Sequence, residues 1–234
     1  MIGLTIAIVA EGPTDISIIK AIVRKVIPGD HRFLNLQPDL SRTSGFGAYG
    51  GGWKGVVRWC KSIPEDFGDI HKFMIGLTPA IDLLVIHVDA DIAREQEISC
   101  YFPCPPVRDT VTNIEKLILQ WLKETVLSNR IVFCIPADNT EAWILYAYDQ
   151  ETPFHNPPVS FLECLKKPDY EISKQGYNRP NRLLKRRDDG KPKKVVRDYE
   201  NMHIPVVLSK WDEIKTICFQ ARSLEDQLRR FITG

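Results

Sequence analysis

Apolar residues follow two alternating rhythms along this chain. Leu4 to Ala10 is an almost unbroken β-rich apolar run, as a strand covered on both faces requires. Ile16, Ile19, Ile22, Val23 and Val26 then recur at helical spacing, with Lys20, Arg24 and Lys25 on the opposite side. Pro13 suits a first helical turn, and Pro28-Gly29 stops the helix. Arg32 to Leu36 reads as a second strand, and Thr43 to Gly55, with six glycines, as a flexible loop. The pattern predicts a helix over Trp53 to Ile63, a third strand over Leu83 to Val88 and a loop over 92–107. It then predicts a long amphipathic helix carrying Val111, Ile114, Leu117, Ile118, Trp121, Leu122 and Val126, and a fourth strand from Ile131 to Ile135.

Strands alternating with helices, joined by crossovers long enough for parallel pairing, predict an α/β fold. The expectation is a Rossmann-like three-layer sandwich with a mainly parallel sheet over residues 1–150. From Gln150 the texture changes to frequent prolines and clustered basic residues. Residues 151–234 are expected to form a basic, Pro-rich, mostly helical extension packed on the first domain, closing with helices around Lys210 to Gln220 and Ser223 to Ile232.

Composition narrows the class. The 234 residues are 44% hydrophobic and 26% charged with net charge +1, so any nucleic-acid contact must come from a local patch. No stretch approaches a membrane span, and the start, Met1-Ile2-Gly3-Leu4, lacks the basic and small-residue marks of a signal peptide. A cytoplasmic location follows as the expectation. Six dispersed cysteines in a chain of this size read as reduced thiols. Cys100 and Cys104 lack the second close pair that zinc requires.

The candidate chemistry lies where strands end. Glu11-Gly12-Pro13-Thr14-Asp15 follows the first strand, and Asp89-Ala90-Asp91 the third. Carboxylates at the carboxyl ends of neighbouring parallel strands converge on one crevice. Residues i and i+2 of a strand point the same way, so Asp89 and Asp91 can face one ion. Asp15 lies one helical turn beyond Glu11. Such a set repels itself unless a divalent cation neutralises it, and oxygen ligands suit Mg2+ or Mn2+. A free carboxylate such as Glu11 can then move a proton. The structural alternative is that Asp15 caps a helix while Asp89 and Asp91 sit in a solvated turn. His87, inside a strand pattern, reads as a packed residue.

At these residues the chain resembles the Toprim domain, the metal-binding module of topoisomerases, primases and certain nucleases. Glu11, Asp89 and Asp91 match its Glu after the first strand and its Asp-x-Asp after the third. The E-G-P-T-D stretch is similar to OLD-family nucleases and to small Toprim-like proteins of bacterial defence islands, in which the position of Asp15 also binds metal. Pro136 to Leu145 is similar to a segment of the small proteins, which adds Glu141 and Trp143 as candidates. The resemblance covers roughly residues 4–145. It implies a Mg2+- or Mn2+-dependent nuclease, with Glu11, Asp89 and Asp91 catalytic and Glu11, Asp15, Asp89 and Asp91 holding metal. It also implies a setting of antiviral defence with an ABC-type ATPase partner. Many Toprim sequences place Gly after the Asp-x-Asp where this chain has Ile92, and the lysine that OLD-type nucleases add has no matching position.

Asn178 to Glu200 holds nine basic residues against four acids, a local excess of five positive charges. Arg179, Arg182, Lys185, Arg186, Arg187, Lys193 and Lys194, with Lys54 behind the glycine segment, are the candidates for contacting DNA or RNA. A solvated basic loop is the alternative. Two other functions stay open: a Toprim-fold scaffold subunit that has lost catalysis, and a housekeeping RNA-processing nuclease.

Overall fold

The computed structural model describes residues 3–39, 47–98, 100, 107–126, 128–149, 161–175 and 181–234. Arg179, Gly45, Cys104 and Pro153 to Pro158 lie outside the described residues. The elements run β1 (Thr5–Val9), α1 (Pro13–Val26), β2 (Arg32–Gln37), α2 (Gly52–Asp66), α3 (Ile70–Gly76), β3 (Leu83–His87), α4 (Arg108–Leu122) and β4 (Ile131–Cys134). They continue with α5 (Glu141–Tyr148), α6 (Pro168–Ile172), β5 (Lys185–Arg186), β6 (Pro192–Lys193), α7 (Val196–Asp198), α8 (Ile204–Ser209), α9 (Trp211–Ile217) and α10 (Phe219–Thr233). Two compact units result. One comprises Met1–Val88, Thr112–Cys134 and Leu224–Gly234, the other Asp89–Val111 and Ile135–Ser223.

The first unit is built on a parallel four-stranded sheet in the order β2-β1-β3-β4, the α/β sandwich expected from the alternating pattern. Every residue of β1 and β3 is buried. That is the reason their sequences are unbroken apolar runs, since a central parallel strand meets side chains on both faces. Ile6 stands opposite Leu83 and Leu84 opposite Ile131. The Asp82 carboxylate locks the start of this register by accepting the Thr5 N–H at 2.8 Å. At the outer strand β4, Gln227 of α10 accepts the Phe133 N–H at 2.9 Å and donates to its carbonyl at 3.0 Å, satisfying an edge that would otherwise stay open.

The glycine segment differs from the flexible loop expected. Gly52 and Gly55 lie inside α2, and Gly47, Gly50 and Gly52 take positive φ to turn the chain into it. The Gly52 N–H donates to the Glu11 carbonyl at 2.8 Å, so the segment is tied to the end of β1. The periodicity did not reveal α3, which has only seven residues. α4 ends at Leu122, where Lys123 turns left-handed (φ 55°), leaving Val126 beyond the helix and exposed.

In the second unit, α5 packs with α6, α8 and α9, and Trp143 meets Trp211 edge to face at 5.5 Å. β5 and β6 form an antiparallel hairpin inside the segment expected to be mostly helical. Cys164 is disulfide-bonded, which corrects the expectation of six reduced thiols, while Cys60, Cys100, Cys134 and Cys218 are free. No described helix is long and apolar enough to cross a membrane.

Gly55 is held by contact rather than by backbone angle. A Cβ there would lie 2.5 Å from the Gly50 carbonyl oxygen and against the Gln37 amide. Gly55→Ala should therefore cost about 1–3 kcal/mol in urea unfolding. Gly76→Ala, in α3 with nothing within 4 Å, should be neutral or stabilising.

Candidate metal centre

In the first unit, α1 begins with Gly12 at its N-cap and Pro13 in its first turn. Asp15 is therefore not the cap; it is a first-turn carboxylate, buried, at the helix end where backbone N–H groups favour negative charge. A Cβ on Gly12 would sit 3.2 Å from Asp15 Oδ2, so the glycine leaves that carboxylate its room. Glu11 is half-buried between β1 and this helix. His87, the last residue of β3, is fully buried, and its ligand atom lies within 4.8 Å of that of Asp15. His87 is thus packed, as its place in a strand pattern predicts, and it also stands two residues before Asp89.

The second unit opens with Asp89, buried, leading into a 3-10 turn, Ala90–Arg94. Two backbone bonds fix this turn against the segment after β4. Ala90 N–H donates to the Pro136 carbonyl at 3.0 Å, and Asp91 N–H to the Asp138 carbonyl at 3.3 Å. Arg94 then reaches Asp138 Oδ2 at 2.7 Å and lies 3.7 Å from Asp91 Oδ2. The other Asp138 oxygen accepts the Lys167 N–H at 3.0 Å. Lys167 holds a left-handed conformation (φ 57°), a strained state for a residue with a side chain.

Crowding marks the electrostatics. Burial, then the charges of Asp89 and Asp138, push the Asp91 carboxyl up to about 8, against the opposing pull of Arg94 and Lys194. Its side chain keeps 40% of its surface open, and the neighbouring acids push in the same direction as burial. Burial also raises Asp138, opposed by its bond to Arg94. Asp138 and Arg94 were not singled out from the sequence: Asp138 lies in the Pro136 to Leu145 segment, where only Glu141 and Trp143 stood out, and 44 residues separate it from Arg94.

Glu141, an additional candidate, is completely buried at the start of α5. Lys194 Nζ lies 2.8 Å from its Oε1, and the Tyr199 hydroxyl donates to the same carboxylate. Lys194, expected among the nucleic-acid contacts, thus reaches inward and acts electrostatically on Asp91. Trp143, raised beside Glu141, is core. Lys54 stands on α2 with its ammonium 5.1 Å from the Trp53 ring. Arg182, Lys185, Arg186, Arg187 and Lys193 are exposed.

No protein-family model, curated protein or solved structure matches the chain.

Asp138 holds Arg94 with one oxygen and the Lys167 backbone with the other, so Asp138→Asn should destabilise the protein by about 1–3 kcal/mol in urea unfolding. A loss below a few tenths would show that the pair does not order this turn.

Proposed function

We propose that the chain is a Mg2+- or Mn2+-dependent nuclease of Toprim type that hydrolyses nucleic-acid phosphodiesters. One observation carries this: the turn after a buried parallel strand sets Asp91 beside Asp89 and Asp138, and burial first, then those two charges, raise its carboxyl to about 8. A divalent cation at Asp89 and Asp91 relieves that repulsion, and an all-oxygen donor pair fits these ions. Asp138, with both oxygens engaged, orients Arg94 and the turn. The resemblance adds Asp15 as a further ligand and Glu11 as a ligand or proton-transfer group.

When bound, such an ion neutralises charge on the attacked phosphate and orients the nucleophile. The chain's own residues do the rest. Asp89 and Asp91 bind, and Glu11 accepts or returns a proton. Lys194, held by Glu141 and acting on Asp91, supplies a fixed positive charge. The resemblance further suggests a cytoplasmic effector of antiviral defence controlled by a separate ABC-type ATPase. A chain that co-purifies with no ATPase and cleaves constitutively would remove that setting.

Asp89→Asn should abolish Mn2+-dependent cleavage of DNA or RNA while leaving the unfolding curve in place; undiminished cleavage would remove the reading. Mn2+ affinity should also depend on pH with a definite sign. Because the ion-free Asp91 carboxyl is raised to about 8, it carries a proton below that pH which the metal must displace. Calorimetry should record proton release, with affinity rising by at most about tenfold per pH unit toward 8 and levelling beyond it. A pH-independent affinity would mean that Asp91 is not a ligand.

A further inference from the structure

The β5–β6 hairpin is two-sided, and period-two alternation explains how. Lys185 stands opposite Lys193, and Arg186 opposite Pro192. Arg187 and Lys191 close the hairpin, the Arg187 N–H donating to the Lys191 carbonyl at 2.8 Å. Successive side chains on a strand point to opposite faces, while directly opposed residues share a face. One face therefore carries Arg186, Pro192 and Lys194, and the other Lys185, Arg187, Lys191 and Lys193. The first face is anchored: Arg186 Nε donates to Ser173 Oγ at 3.2 Å, Pro192 is buried and Lys194 pairs with Glu141. All four cations of the second face are exposed.

That second face is unfavourable as bare structure, because like charges directly opposed across a hairpin repel. Among the described residues only Lys191 has a carboxylate near it, Asp189 at 3.7 Å on an exposed surface where such a pair contributes little. Among the described residues, none pairs with Lys185, Arg187 or Lys193. The turn is nonetheless ordered: Gly190 takes φ 77° and donates to the Arg187 carbonyl, and Asp189 accepts the Lys191 N–H at 3.0 Å. Cations on an ordered, anchored ribbon form a fixed array. Lys185 and Arg187, like Lys191 and Lys193, stand roughly 7 Å apart along their strands.

We propose that the Lys185, Arg187, Lys191 and Lys193 face of this hairpin grips the sugar–phosphate backbone of the nucleic acid, without reading bases, outside the metal centre. This rests on the nucleic-acid substrate of the reading above, but on different residues. Lys194 connects the two places, since it follows β6 and turns to Glu141. The strand is held by the outer face, while the inner face roots the hairpin beside the acidic turn.

The test measures fluorescence anisotropy of short labelled single-stranded DNA, duplex DNA and RNA with the full chain in EDTA, across a salt series. The compared variant changes Lys185, Arg187, Lys191 and Lys193 to Ser; a charge-matched control changes exposed Lys25, Lys61, Lys116 and Lys166 to Ser. The hairpin variant should bind at least one of these strands about tenfold or more weakly, with the log–log salt slope reduced by roughly 3 to 4. The control should bind as the natural chain does. The hairpin variant should also melt no lower than the natural chain, because the opposed like charges are gone. An unchanged salt slope, an equal loss in the control, or no binding of any strand by the natural chain overturns the proposal. So does retained affinity for an acidic polypeptide alone. If Asp89→Asn kills cleavage but the hairpin variant binds normally, only the hairpin proposal fails. Hairpin-dependent binding without Mn2+ uptake removes only the nuclease.

Discussion

Complete burial of β1 and β3 in the middle of a parallel sheet is the constraint from which the other features descend. A strand covered on both faces has no position for a charged side chain along its length, so polar chemistry is displaced to its ends. Glu11 and Asp15 follow β1 within one helical turn, and His87 and Asp89 fall where β3 stops. The polar residues are confined to the only places where the sheet leaves backbone turning and room. Gly12, whose missing side chain keeps clear of Asp15, belongs to the same requirement.

Confinement has an energetic consequence in the second unit. A carboxylate withdrawn from water needs a partner or several hydrogen bonds, and this turn gathers three aspartates beside a fourth acid, Glu141. The chain divides the labour. Glu141, fully buried, is matched by Lys194 and Tyr199, and Asp138 by Arg94 and a backbone N–H. Asp91 is left raised and partly open, the member with the most to gain from an added cation. Under the proposed reading, binding capacity and residual instability are one property of this side chain.

Much of the first unit was legible because its signals are periodic. Five-residue apolar runs and an i, i+3, i+4 stripe survive without any knowledge of neighbours, which is how β1, α1, β3 and the parallel pairing, though not the strand order, were readable. α3 and α5 were not. α3 is too short to show a period, and α5 is apolar on all sides, so it carries no stripe. The acids at strand ends were readable from position alone. Asp138 and Arg94 were not, since their meeting depends on backbone bonds from Ala90 and Asp91 to Pro136 and Asp138. The basic segment was legible as charge but not as geometry. Only the register of the hairpin separates the outward cations from Lys194, which turns in.

Ile92 follows Asp89-Ala90-Asp91, and its burial accounts for the shape of this turn. A glycine after Asp-x-Asp would permit a left-handed turn, yet positive φ among described non-glycine residues occurs only at Lys123 and Lys167. The chain instead enters a 3-10 turn, in which residues three apart eclipse. That geometry sets Arg94 over Asp91 and turns Ile92, fully buried, into the core between them. A glycine there would forfeit roughly 2 kcal/mol of burial and loosen the turn. The buried isoleucine thus holds the turn by packing rather than by backbone freedom, and Arg94 takes its position within that turn.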